Sequence, residues 1–359
     1  MKTQKDNRIE LYRFLTAFII VIFHAHNINN GHGHPIPLGH VFVEFFFFLT
    51  GYYTYASMIK KINDNRYNID ISNYPFHYTW RKFKKFIPYS IMTSALYVGM
   101  SIIGDNFIKG LSIRDSILDF SGLPFDILFL QITGIYKNSN FNAWWYLSAI
   151  LFTMPIVIIL FYRKYVRGGV YTYIVYFSPL LIYGAFSENI NGLDWNSEVF
   201  GIFKTGIFRG IAGICMGCLI YDLKNRLCSI KSNIFSKMIF TIIEFGAYSM
   251  SFFMAWKWSE VENSTFLIII LLVIGLTVTF SNKSYTTVLN KRIFGYLGML
   301  SLPLYICHYS IGRLIGKYFI YDNIYVRYIL YLGSSIAFSI CMLFVDRKIL
   351  RRVKNEVTG

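Results

Sequence analysis

The sequence predicts an all-α integral membrane protein, a bundle of about ten transmembrane helices with both termini in the cytoplasm. Of the 359 residues, 55% are hydrophobic and only 15% are charged, whereas a soluble domain carries about 25% charged residues. Apolar runs of roughly twenty residues, the length that crosses a bilayer, recur along the chain. Lys and Arg collect in the short segments between these runs, as the positive-inside rule predicts.

Ten segments have the length and composition of membrane spans, and together they predict one domain over residues 1–359. No internal repeat divides them. The first segment lacks the small-residue cleavage site of a signal peptide, so we expect it to remain as the first span. Segment 111–135 is apolar but interrupted by Asp, Gly and Pro, so we expect it at the interface or re-entering the membrane. The predicted spans are 9–29, 39–59, 86–104, 143–162, 169–186, 199–222, 234–256, 263–281, 294–317 and 325–346.

The basic residues alternate from one loop to the next, and this alternation orients the helices. Segments 60–85 and 223–233 are rich in Lys and Arg, whereas 30–38 and 187–198 contain none. Cytoplasmic loops hold the excess of basic residues, so both termini are predicted to face the cytoplasm. Because the net charge of +16 is confined to these clusters, it favours a lipid bilayer over nucleic acid as a partner.

Two patterns are reminiscent of metal ligands, and we interpret neither as a metal site. Cys215 and Cys218 have a CxxC spacing but fall inside an apolar helix, where small polarisable core residues are expected. A histidine-rich loop follows the first span, but it lacks acidic partners and therefore predicts a solvated loop. Its members are His26, His32, His34 and His40.

Ionisable side chains inside a bilayer are costly, so each one is a candidate for function. Arg13 and His24 lie eleven residues apart in the first span. That spacing is about three helical turns, which places both on one helix face, about 16 Å apart along the axis. The alternative is structural: Arg13 would extend toward the lipid headgroups, and His24 would be a satisfied buried histidine.

Glu44 in the second span and His308 in the ninth reach the same depth as His24. A carboxylate beside an imidazole fixes its tautomer and stabilises its protonated form, which is what a general base needs. We therefore predict that Glu44 orients His24. Otherwise Glu44 would pair with a structural lysine or cap a helix.

Basic residues concentrate before Pro88, at the cytoplasmic end of the third span. Arg81, Lys82 and Lys85 could hold a phosphate-bearing ligand by charge-assisted hydrogen bonds, although topology alone would also explain them. Arg209 falls near the middle of the predicted sixth span, where no topology rule requires a cation. We predict that it belongs to the same ligand-binding group.

Aromatic residues open the fourth span at its outer end. They are Trp145 and Tyr146, and the polar Ser148 follows two positions later. Such residues usually form a belt at the membrane interface. The alternative is a platform on which a sugar or an acyl chain stacks.

Five motifs, taken in chain order, resemble the acyltransferase-3 family of bacterial membrane proteins. Two depart from its pattern: Thr50 stands for the usual Ser, and lysines stand for a pair of arginines, which removes the bidentate fork of arginine. A basic, Gly-rich stretch from Arg209 to Gly217 resembles the family more weakly. The five motifs are Arg13 with His24, Glu44 through Gly51, Lys82 with Lys85 and Pro88, Trp145 through Ser148, and Ser301 with Tyr305 and His308.

The resemblance implies an O-acyltransferase of the inner, cytoplasmic membrane that acylates capsule, lipopolysaccharide or exopolysaccharide. Acetyl-CoA is the implied co-substrate, a carbohydrate is the acceptor, and neither a bound cofactor nor a metal is implied. His24 and Glu44 would be catalytic. The donor would be bound by Arg13, Arg81, Lys82, Lys85 and Arg209. The acceptor would be bound by Trp145, Tyr146, Ser148, Tyr305 and His308.

Two alternatives stay open at the level of sequence. His24 would either take the proton from an attacking sugar hydroxyl or carry the acyl group itself in two half-reactions. Intramembrane Arg, Glu and His also mark the pathways of transporters. Inverted repeats would favour a transporter, and the sequence contains none that we can recognise.

Overall fold

A computed structural model describes residues 6–29, 33–64, 71–110, 120–136, 139–189, 193–199, 203–258, 262–319 and 323–350. Eleven α-helices dominate these ranges, so the all-α prediction is confirmed. They are α1 Asn7–Phe23, α2 Val43–Asn63, α3 Tyr74–Lys109, α4 Leu123–Ile127, α5 Trp145–Arg167, α6 Val170–Asn189, α7 Gly206–Ser229, α8 Ile234–Lys257, α9 Glu262–Ser281, α10 Arg292–Tyr318 and α11 Ile324–Val345.

Eight helices in the described ranges are long and apolar enough to cross a membrane, namely α1, α3, α5 to α9 and α11. The predicted second and ninth spans overlap α2 and α10, which are not among these eight and contain Glu44 and His308. We call the end of the bundle that holds the start of α1 the inner end, because the sequence predicts that it faces the cytoplasm. That orientation stays a prediction.

Two helices begin more than five residues from the predicted position. α3 begins at Tyr74 rather than at 86 and has 36 residues, about 54 Å at 1.5 Å per residue. The basic residues before Pro88 therefore lie on a helix and not in a loop. α7 begins at Gly206 rather than at 199, because Glu198–Val199 and Phe203–Lys204 pair as a short antiparallel hairpin.

Part of segment 111–135 packs against the bundle as turns and the short helix α4. Residues 111–119 lie outside the described ranges. Phe129 and Ile132 are fully buried, and the carboxylate of Asp126 accepts a hydrogen bond from the backbone N–H of Asn140 at 3.1 Å. The described part of this segment is thus not a span, as the sequence predicts.

Glycines allow two pairs of helices to approach closely at the centre of the bundle. α1 packs along α10, and α2 packs along α7. A Cβ at Gly51 of α2 would lie only 1.9 Å from the carbonyl oxygen of Ile214, and a Cβ at Gly298 of α10 would lie 2.2 Å from a carboxylate oxygen of Glu10. Small residues are the usual means of such approach within membranes.

Candidate active site

A cavity of about 230 Å³ lies among α1, α2, α3, α5 and α10. Aromatic side chains line its middle, among them Phe46, Tyr146 and Tyr305. Its three cationic lining residues are Arg13, Lys82 and Lys85, and the described residues around it include no carboxylate. A small cavity with three cations and no acidic lining favours an anionic ligand.

The helical start of α3 explains which basic residues reach this cavity. Lys82 and Lys85 are three residues apart, so they share one face of the helix. Arg81 points about 100° away from Lys82 at 3.6 residues per turn, and it is exposed, with its guanidinium carbon 5.6 Å from the centre of the Tyr78 ring. The structure thus brings together Arg13, Lys82 and Lys85 but does not include Arg81 among the described residues that line the cavity.

Two imidazoles meet on the outer side of the cavity. His24 begins the 3₁₀ turn after α1, and its ring centre lies 5.2 Å from that of His308 on α10. Nδ1 of His308 lies 3.1 Å from the carbonyl oxygen of Leu304. A carbonyl only accepts, so this partner assigns the ring hydrogen to Nδ1 and leaves the lone pair on Nε2. Within the described chain, Nε2 of His308 and Nδ1 of His24 are buried without a hydrogen-bond partner.

Tyr305 separates the imidazole pair from the cavity. It lines the cavity, and its ring centre lies 5.7 Å from that of His308, which is three residues, or about 4.5 Å, further along the helix. Its hydroxyl donates to the carbonyl oxygen of Ala143 at 2.5 Å. Tyr146 packs against it with ring centres 5.5 Å apart. Both tyrosines, expected at the acceptor, thus line the cavity that holds the cations.

Glu44 pairs with Arg209 and not with His24. This corrects the expectation that Glu44 orients His24 and the expectation that Arg209 binds the donor. Its Oε1 accepts from Nε of Arg209 at 2.9 Å, and its Oε2 accepts from the hydroxyl of Tyr183 at 2.5 Å. Both charged side chains are at most 1% exposed. Arg209 lies in the first turn of α7, not in the middle of a span, and Glu44 lies in the first turn of α2. Because α2 and α7 pack together, their outer ends bring this pair into contact.

Two other residues expected at the acceptor also have structural partners. The ring of Trp145 lies 4.6 Å from the guanidinium carbon of Arg209, and Trp195 stacks on it with ring centres 5.6 Å apart. Ser148 is fully buried, and its hydroxyl accepts from the backbone N–H of Ile132 at 3.4 Å. Both side chains therefore hold outer segments of the chain onto the bundle.

The comparison with known families decides what kind of protein carries this site. The sequence profile of the acyltransferase domain, in its acyltransferase-3 form, matches residues 6–344 and so includes every helix that lines the cavity. The chain belongs to the acyltransferase-3 family. It is therefore an acyl-transferring enzyme and a multi-pass membrane protein, which confirms the predicted family and enzyme class. No curated protein and no solved structure matches the chain.

The histidine-rich loop of this acyltransferase packs near the imidazole pair. The rings of His26 and His34 have centres 4.1 Å apart, and that of His34 stacks on Phe23 at 4.5 Å. His40 is half-buried, so the loop is less solvated than expected. His32 lies outside the described residues. Within the described ranges, no three His, Cys, Asp or Glu side chains are grouped as metal ligands.

Glu10 also belongs to the acyltransferase site, although the sequence motifs do not include it. Glu10 is 3% exposed, and both of its carboxylate oxygens accept from Nη1 of Arg13, at 3.0 and 2.9 Å. An acidic and a basic residue three positions apart on a helix are neighbours on its surface. That spacing was the signal available in the sequence.

Proposed function

We propose that this acyltransferase transfers an acetyl group from acetyl-CoA to a hydroxyl of a cell-surface polysaccharide or its precursor, within one transmembrane unit. The observation that carries the proposal is the position of the cavity with Arg13, Lys82 and Lys85, directly inward of the paired rings of His24 and His308. Coenzyme A carries its phosphates at one end and its thioester at the other. Its phosphates would bind the cations, and its thin arm would extend toward the imidazoles.

The reaction uses the two ring nitrogens that have no hydrogen-bond partner among the described residues, Nδ1 of His24 and Nε2 of His308. His24 takes the proton from the acceptor hydroxyl, whose oxygen attacks the thioester carbonyl. A carbon–oxygen bond forms, the carbon–sulfur bond breaks, and the proton passes from the imidazolium to the departing thiolate. Nε2 of His308 accepts a hydrogen bond from a second hydroxyl of the sugar and so orients the acceptor, because Nδ1 already donates to Leu304. Positioned acid–base groups of this kind contribute about 10² to 10⁴ to a rate.

The corrected contacts change the roles of the remaining candidates. We assign Glu44 and Arg209 to holding the outer ends of α2 and α7 together, rather than to catalysis and donor binding. Tyr146 and Tyr305 would contact the arm of the donor instead of the sugar. The acceptor would approach from the outer end of the bundle, where His24 follows α1.

Acyl transfer by the purified protein tests this proposal. The protein in lipid nanodiscs is given acetyl-CoA labelled in the acetyl group and a fragment of the host's own surface polysaccharide, and label on the sugar and free thiol are both measured. Label should reach the sugar in wild-type protein and not in the His24→Ala variant. Thiol release with no labelled sugar would contradict only the proposal that a carbohydrate is the acceptor. The absence of CoA binding would contradict the proposal that acetyl-CoA is the donor.

A further inference from the structure

Glu10 holds Arg13 by one nitrogen and leaves the rest of the guanidinium toward the cavity. Both carboxylate oxygens of Glu10 contact Nη1 of Arg13 at 3.0 and 2.9 Å. The side chain of Glu10 is 4% exposed and that of Arg13 is 26% exposed, and Arg13 lines the cavity. Among described residues, Nε and Nη2 of Arg13 make no hydrogen bond, so these donors are available to a ligand.

The backbone of α10 fixes the carboxylate of Glu10 in place. A Cβ at Gly298 would lie 2.2 Å from Oε2 and 2.5 Å from Cβ of Glu10, so Glu10 occupies the space that only a glycine leaves. Ser301 lines the cavity one turn further along α10. Glu10 therefore lies between two helices, directly behind the cation that faces the cavity.

The charge of Glu10 acts on Arg13 without entering the ligand's space. Three cations face a cavity of about 230 Å³, and the described lining contains no carboxylate. Like charges this close together repel one another, and a nearby carboxylate reduces that repulsion. A carboxylate behind Arg13 offsets part of this repulsion and fixes the direction of the guanidinium, while the cavity itself stays positive.

We propose that Glu10 is the positioning residue of the donor site, which holds Arg13 so that its free N–H groups bind a phosphate of the acyl-CoA donor. This role rests on the proposed function, since it takes acyl-CoA as the ligand. Losing one directed, charge-assisted contact should weaken binding about tenfold. The effect should fall on donor binding and not on the chemical step.

The test compares Glu10→Gln with a matched buried carboxylate elsewhere in the bundle. Asp105 is 2% exposed and accepts from Nζ of Lys317 at 2.8 Å, with Lys317 36% exposed. The affinity for CoA is measured by calorimetry on purified protein, and KM and kcat are measured for acetyl-CoA. Glu10→Gln should raise Kd and KM for the donor about tenfold with kcat largely retained, and Asp105→Asn should leave both constants unchanged.

Two further variants keep the proposal falsifiable if Glu10→Gln folds poorly. Gly298→Ala should displace the carboxylate and raise the same Kd. As a single change, Arg13→Gln should weaken CoA binding. In the Glu10→Gln background it should add little, because both changes remove the same contact between Arg13 and the phosphate. Unchanged CoA affinity in Glu10→Gln, or an equal loss in Asp105→Asn, would overturn the positioning role. A wild-type protein that binds no CoA would overturn the proposed donor and this role together.

Discussion

Glu44 and Arg209 form a buried ion pair at the outer ends of α2 and α7, with Nε of Arg209 2.9 Å from Oε1 of Glu44. Tyr183 donates to the second carboxylate oxygen, and Nη1 of Arg209 donates to the backbone carbonyl of Leu193. The pair thus joins two helices and an outer segment. A buried pair of this kind contributes little net stability when complete, but a broken one leaves an uncompensated charge in an apolar interior.

Removing one member of this pair should destabilise the protein more than removing both. We expect Glu44→Gln and Arg209→Met to lower the free energy of unfolding by about 3–5 kcal/mol each, and the double variant, which removes both charges, to lose less than either single variant. Thermal unfolding of the three variants in detergent measures this. If Glu44→Gln instead keeps its stability and loses only acyl transfer, Glu44 has the catalytic role that the sequence predicts.

The sequence predicts the helices well, because apolar runs of membrane length determine them locally. It predicts their ends less well where polar residues continue or interrupt a helix. The residues from Tyr74 to Lys85 mix basic and polar side chains with aromatic ones, yet they extend α3, since a helix satisfies its own backbone whether or not lipid surrounds it. The hairpin before Gly206 has the opposite effect and shortens α7.

The contacts within the site are likewise predictable from the sequence only in part. The convergence of Arg13 with Lys82 and Lys85 was predicted, because topology places all three at one end of the bundle. The partner of Glu44 was not, because depth alone makes His24 and any other group at that level equivalent. Arg209 becomes the partner of Glu44 because α2 and α7 are in contact, and Gly51 allows their close approach.

The two lysines of α3 should determine much of the affinity for CoA. Neutralising Lys82 and Lys85 together to Gln should weaken CoA binding at least about tenfold, because each removes a charge-assisted contact. Added salt should weaken wild-type binding in the same direction. Arg81→Gln is the matched control, since Arg81 lies on the same helix but not in the described lining. Equal losses in the control and the double variant would show that general charge, rather than the cavity, attracts the donor.

The orientation of the bundle can be tested with single cysteines in intact cells. Asn196 and Ser232 are both exposed, the first in a segment without Lys or Arg and the second beside Lys231. Cysteine at Asn196 should react with a membrane-impermeant maleimide, and cysteine at Ser232 should react only after lysis. Cys228 and Cys341 are exposed and are replaced by Ser first. Labelling of Ser232→Cys from outside would contradict a cytoplasmic inner end.

His24 and His308 should have different roles, the first as the base and the second in orienting the acceptor. His24→Ala should lower kcat by about 10² to 10⁴, the usual contribution of a positioned base. The fold should persist, because Nδ1 of His24 makes no hydrogen bond within the described chain that alanine would remove. Circular dichroism and CoA affinity, both expected to match the wild type, check that the donor site remains intact.

His308→Ala should act mainly on the acceptor. Its Nδ1 donates to the carbonyl of Leu304, so Nε2 is the atom that accepts from a second sugar hydroxyl, one that does not react. Loss of an orienting contact raises the apparent KM for the acceptor more than it lowers kcat. His308→Gln offers an amide near the position of Nε2 and should recover part of that affinity. If His308→Ala abolishes turnover while His24→Ala keeps most of it, the base is His308, and the lone pair that Leu304 directs to Nε2 would be the reason.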